Sequence, residues 1–126
     1  ILDGDDPAIK SLLIPALKKD LFENVAFNYV NNCSEKLKKL GYRLQVNARE
    51  INLFYMRDGL RERIEKSGDQ YVVTNTDLAF SKSEIEKEVE QHPENFSPNV
   101  IIRPLYQETI LPNIAYVGGP GEIAYW

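Results

Sequence analysis

The apolar residues of this chain change their spacing twice, and that change limits the fold more than any other feature. From Ile9 to Leu40 they recur at helical intervals: Ile9, Leu12, Leu13, Ala16, Leu17 and Leu21, then Val25, Ala26, Tyr29, Val30, Cys33, Leu37 and Leu40. From Tyr42 the period drops to two, with Tyr42, Leu44 and Val46 alternating with Arg43, Gln45 and Asn47. After Ser81 the helical period returns. A chain that passes from helix to strand and back belongs to the α/β class.

Local signals place the elements. Ile1 to Asp3 reads as the end of a strand, and Gly4-Asp5 as a turn. Asp6 caps a helix with Pro7 at its first position, and Pro15 is expected to kink that helix. A second helix, about 23–40, ends at Gly41 with Lys36, Lys38 and Lys39 in its last turn. Residues 42–47 read as a half-buried strand, and Ile51 to Met56, apolar on both faces, as a central one. Asp58-Gly59 marks a hairpin, Leu60 to Glu65 a charged outer strand, and Ser67-Gly68-Asp69 a second turn. Tyr71 to Thr74 closes a small antiparallel meander over about 42–75. Ser81 and Glu84 have capping-box spacing, the helix they open runs to Gln91, and Pro93 stops it. Ser97-Pro98 is expected to start another helical stretch, kinked at Pro104 and ended by Pro112. Asn113 to Val117 reads as a short strand, Gly118 to Gly121 as a tight loop, and Glu122 onward as a helix start.

Composition narrows the function classes. The 126 residues, 43% hydrophobic and 27% charged, suffice for one soluble globular domain. Fifteen Lys+Arg against nineteen Asp+Glu leave a net charge of −4, which argues against a general nucleic-acid binder. The single Cys33 and the single His92 make an internal disulfide and a His/Cys metal site poor expectations. No apolar run approaches the roughly 20 residues of a membrane span, so a cytoplasmic protein is expected. The chain opens on Ile-Leu-Asp-Gly and stops inside the apolar run Ile123 to Trp126, as expected of a piece of a longer protein.

Two stretches carry candidate chemistry. Ala115-Tyr-Val-Gly-Gly-Pro-Gly-Glu122 sets glycines between a strand and a helix, where backbone can approach an anionic ligand. It matches neither the dinucleotide fingerprint nor the P-loop, and a sharp turn needing positive φ, with Glu122 as an acidic first-turn residue, is the simpler expectation from the residues alone. Arg103-Pro-Leu-Tyr-Gln-Glu108 packs four polar groups into an apolar stretch. On a helix, Arg103, Tyr106 and Gln107 share a face, for ligand contact or for an internal network. Arg57, Arg61 and Arg63 flank the Asp58-Gly59 turn and suit a phosphate or carboxylate, although pairing with Asp58 and Glu62 is the simpler expectation. Arg49 and Glu50 are expected to pair locally, and the carboxylates of 84–90 to form a solvated face. Cys33, Phe54, Tyr55, Tyr71 and Phe80 are expected in the core, and His92 at a helix end.

Arg49 to Met56, Asp58 to Arg63 and, above all, Asn99 through Tyr125 resemble the bacillithiol biosynthesis cysteine-adding enzymes, the BshC family. The resemblance runs over essentially the whole chain and is weaker before Gly41. It implies a ligase that joins L-cysteine to the amine of glucosaminyl malate, built on a nucleotide-binding core like that of class I aminoacyl-tRNA synthetases. Residues 1–112 would then be helices and meander of a connecting insertion, and 113–126 the opening β-loop-α piece of the second half of the core. The resemblance puts Gly118, Gly119, Gly121 and Glu122 at the edge of a substrate- or nucleotide-binding site. Arg103 and Gln107 would orient that loop or contact a carboxylate. It names no catalytic residue and no metal. ATP or another adenine nucleotide would activate the carboxylate, and a homodimer is possible for the intact protein. The chain alone is expected to be inactive, lacking the first half of the core and the family's coiled coil. A non-catalytic interaction or dimerisation module is the competing expectation, and a nucleotide-binding regulatory domain a third.

Overall fold

The computed structural model describes residues 2–125, and its first helix begins where the sequence writes the cap. Helix α1 (Pro7–Ser11) is capped by Asp6, whose carboxylate accepts the Ala8 amide at 2.8 Å. The chain turns at Leu12 and Leu13 and restarts as α2 (Ile14–Glu23), with Pro15 in its first turn, where the missing N–H interrupts no helical bond. The expected kink at Pro15 is therefore a break just before it. Asn24, left-handed at φ 51°, separates α2 from α3 (Val25–Lys39), and Gly41 at φ 85° follows the end of α3.

The strands β1 (Leu53–Arg57), β2 (Leu60–Ser67), β3 (Gln70–Val73), β4 (Ala79–Ser81) and β5 (Phe96–Pro98) form one sheet of order β4-β3-β2-β1-β5, antiparallel at every pairing. Asp58 at φ 50° and Gly59 at φ 82° supply the two positive angles a type I′ hairpin needs. Helix α4 (Lys82–Gln91), opened by the Ser81/Glu84 capping box, carries the chain from β4 back across the sheet. A short 3₁₀ turn, Pro93–Asn95, then delivers β5 to the opposite edge. Helices α5 (Arg103–Ile110) and α6 (Pro120–Tyr125) follow. The protein is thus α/β, with helices flanking an antiparallel sheet.

One face of the sheet is covered and the other is open. The covered face carries Tyr55, Ile64, Tyr71, Val73 and, from β5, Phe96 against Leu17 and Leu21 of α2 and Ile85 and Val89 of α4. Tyr55 and Phe96 meet edge to face at 5.7 Å between ring centroids. On the open face Phe54 and Met56 are half-buried and Arg61 and Arg63 exposed.

Several expectations give way to tertiary constraints. Residues 42–50 form no strand: β1 pairs with β2 and β5, and the alternating segment joins neither edge of the sheet. The charged strand β2 is central, not outer; it tolerates its charges because only one face of the sheet is covered. Ser97-Pro98 belongs to β5 at the sheet edge, where a proline costs no interior ladder bond, and the helix waits until Arg103 with Pro104 in its first turn. Residues 113–117 form no strand, and Ile114 and Val117 are almost fully exposed. Leu2 and Asp3 are irregular; the rest of the expected first strand, Ile1, and the end of the last apolar run, Trp126, lie outside the described residues. Cys33 is exposed rather than core, since no residue of α3 is fully buried. Tyr55 and Tyr71 are core; Phe54 and Phe80 are half-buried.

Candidate functional site

A buried polar network holds together the segments that surround the candidate site. Asp20, on the sheet-facing side of α2, is 2% exposed, and Asn52, just before β1, is 1% exposed. The Asn52 backbone N–H donates to Asp20 Oδ2 at 2.6 Å, and its side-chain amide to Asp20 Oδ1 at 3.1 Å. The same amide also donates to the Arg49 carbonyl at 2.7 Å, while Asn52 Oδ1 accepts from the Arg49 N–H and from the Asn99 side chain, each at 3.1 Å. The Asn99 N–H donates to the Asn52 carbonyl at 3.0 Å. Asn99 in turn accepts the Ile101 N–H on its side chain and the Arg103 N–H on its carbonyl. Arg49 and the start of α5 are therefore fixed by one chain of hydrogen bonds. Burial raises the Asp20 carboxyl to about 6, against the two Asn52 donors that favour its ionised form.

The two sequence clusters meet through a single ion pair. Arg103 Nη2 lies 3.3 Å from Glu122 Oε1, across 19 residues of chain, with both side chains partly exposed. Glu122 Oε2 also accepts the Gly119 N–H at 3.4 Å, the reach-back of a third helical residue to its cap. Among Gly118, Gly119 and Gly121, none has a positive φ, so the turn does not need glycine for its backbone angles. Gly118 is constrained instead by space: a Cβ there would sit 2.5 Å from the Tyr116 ring and 3.3 Å from Glu122 Cβ. Gly119 and Gly121 face open space.

The polar groups of α5 do not share a ligand face. Tyr106 turns inward, donates its hydroxyl to the Gly4 carbonyl at 2.8 Å, and has its pKa raised by burial and then by the Asp5, Asp6 and Asp3 carboxylates. Glu108 accepts from the Asn113 N–H at 3.0 Å and from its side chain at 3.2 Å. Gln107 is half-buried.

Other charges find partners different from those expected. Arg57 pairs with Asp58 at 3.5 Å, but Glu62 accepts from Thr74 and Asn75, not from an arginine. Arg49 reaches Glu65 at 3.8 Å instead of its neighbour Glu50. On α4, Lys18 holds Glu86 and Glu90, and Glu88 accepts from Tyr55 and Asn95, so that face is not simply solvated. The Tyr55 hydroxyl is pushed up to about 12, first by burial and then by Glu88. His92 ends α4 and pairs with Glu94 at 3.2 Å. Among the described residues no group of three or more His, Cys, Asp and Glu is placed to hold a metal ion. No described helix is long and apolar enough to cross a membrane.

Sequence reasoning passed over Asp20 and Asn52. Asn52 carried a signal, being a polar residue inside the apolar run Ile51 to Met56, whereas Asp20 follows Lys18 and Lys19 and is marked only by its place beside Leu17 and Leu21 on the helix.

An α/β domain whose glycine loop is tied to a neighbouring helix can belong to many families, and comparison with known proteins decides which. The whole chain, residues 1–126, matches the family model described as "Bacillithiol biosynthesis BshC, N-terminal Rossmann-like domain". The chain belongs to this family. A relative from Cytophaga hutchinsonii, named "Putative cysteine ligase BshC", is 57% identical over all 126 residues. Relatives of the same name from Flavobacterium johnsoniae and Bacillus pumilus are 55% and 37% identical over 100% and 90% of the chain. The chain spans 22–24% of the length of these relatives.

Proposed function

We propose that this chain is part of a ligase that joins the carboxyl of L-cysteine to the amine of glucosaminyl malate. The observation that carries the reading is the family match over every residue of the chain, together with the names of its relatives. In this reading residues 1–112 form a connecting insertion, and 113–126 open the second half of a nucleotide-binding-like core. The intact enzyme is a cytoplasmic homodimer.

Forming an amide from a free carboxylate and an amine releases water and needs activation, for which a nucleoside triphosphate such as ATP is the co-substrate in this proposal. The chain's own residues contribute positioning, which can supply much of the rate of a two-substrate condensation. Gly118, Gly119, Gly121 and Glu122 line the edge of the site, and Arg103 and Gln107 orient the loop or contact a substrate carboxylate. The 3.3 Å Arg103–Glu122 pair supports this grouping, because it ties the two segments into one unit. A site built from two halves of a core is incomplete here, so the 126-residue chain alone has no ligase activity.

The test is Glu122→Gln in the intact enzyme, which keeps the acceptor for the Gly119 N–H and removes the charge facing Arg103. A fall in kcat/KM of about tenfold or more is expected. Unchanged kinetics would remove Glu122 from the site. Turnover by the isolated chain in the same assay would refute its incompleteness.

A second reading is favoured by one observation. No residue of α3 is fully buried, and its Tyr29 and Leu37 are 71% and 40% exposed. Such a face suits a non-catalytic interaction or dimerisation module. It is compatible with the ligase reading if the same face meets the remainder of the intact protein.

A further inference from the structure

The open face of the sheet carries a cleft of about 450 Å³ whose charged lining is entirely basic. Arg49, Arg61, Arg63 and Arg103 line it, and no carboxylate does, although the chain as a whole carries a net charge of −4. The arrangement follows from the fold. Arg61 and Arg63 are two apart on β2, so they project to the same face, and Phe54 of β1 is paired directly with Arg63. Arg49 is held by Asn52, and Arg103 by the Asn99 carbonyl at the start of α5.

The state of the four guanidiniums is informative. Arg61 lies over the Phe54 ring at 4.0 Å and Arg63 at 6.0 Å from the same centroid. Neither has a carboxylate partner among the described residues. Arg49 and Arg103 have only partly exposed partners, Glu65 at 3.8 Å and Glu122 at 3.3 Å. Like charges gathered without counter-charge are unfavourable unless an anion joins them. Stacking on an aromatic ring fixes a guanidinium plane while leaving its edge N–H groups free for a bidentate acceptor.

The geometry points to a binding site for a compact anion with two or more carboxylate or phosphate groups, held by Arg61 and Arg63 from the sheet and by Arg49 and Arg103 from the flanking loops. Arg103 is common to this cleft and to the Glu122 loop, so an anion here competes with Glu122 for one guanidinium. The inference stands on the cleft alone and does not need the ligase reading.

Calorimetric titration of the full chain at low salt, with succinate, pyrophosphate, inorganic phosphate and acetate as probes, tests it. Saturable binding of succinate or pyrophosphate, at least about tenfold tighter than acetate, is expected, and the tighter of the two shows whether carboxylate or phosphate is preferred. Arg61→Gln with Arg63→Gln should weaken that binding by tenfold or more. Arg57→Gln, which lies outside the cleft, should leave it unchanged, and far-ultraviolet circular dichroism checks that both variants fold. The inference is overturned if no dianion binds, if the Arg61/Arg63 variant binds as well as the Arg57 variant, or if a single-stranded oligonucleotide binds more tightly than every small anion.

Discussion

At the residue scale, Asp20 illustrates how a buried polar group is used. Its carboxylate accepts two hydrogen bonds from Asn52, and through Asn52 it fixes Arg49 and Asn99. Burial lifts its pKa to about 6 from an ordinary 3.8. Between those values the folded protein holds a proton that the unfolded chain has released, so Asp20's contribution falls as pH rises through the window. Two units correspond to at most about 3 kcal/mol. Urea unfolding of the wild type and Asp20→Asn at pH 4 and pH 7 measures this. The wild type should lose stability relative to the variant as pH rises, and a difference that is flat with pH would contradict the assignment. None of this chemistry follows from residue type. An aspartate at a helical position among leucines announces only that it needs a partner, and Asn52 lies 32 residues away.

At the element scale, caps and turns were written locally and could be read from the sequence. Asp6, Gly41, Asp58-Gly59 and the Ser81/Glu84 box all occupy the roles their residue types suggest. In the last of these, Glu84 Oε2 accepts the Ser81 N–H at 2.7 Å, which lowers the Glu84 pKa, and Ser81 Oγ accepts the Glu84 N–H at 3.3 Å. Ser81→Ala should therefore cost about 1 kcal/mol of stability, measured by urea unfolding. The loss should reach the whole molecule, because α4 brings Ile85 and Val89 into the core. Strands were harder to read. Residues 42–47 alternate well and form none, while Phe96–Pro98, with a proline, forms β5. Alternation measures which face could be buried, whereas pairing depends on which edge is free.

At the scale of the whole molecule, the first helix and the last strand are tied by a single buried lysine. Lys10 is 1% exposed and donates to the Phe96 carbonyl at 2.6 Å, 86 residues away, with Asp5 at 3.1 Å. Tyr106 adds a second tie between distant parts, to Gly4. Lys10→Met keeps most of the volume but leaves the Phe96 carbonyl without this donor. It should destabilise the protein by roughly 2 kcal/mol in urea unfolding, and an unchanged midpoint would show that the tie is dispensable.

The candidate site divides along the same line. The glycine loop and the Arg103 to Glu108 cluster stood out in the sequence because their composition is unusual, and the two-residue spacing of Arg61 and Arg63 already placed them on one face of a strand. That Arg103 reaches Glu122, that Tyr106 turns away to Gly4, and that four arginines share one cleft were decided by the tertiary structure. Periods, caps and turn residues act over a few positions and are written where they act. A neighbour across the sheet or a partner far along the chain exists only after the chain has folded back, and so do the burial and the charge balance that depend on it.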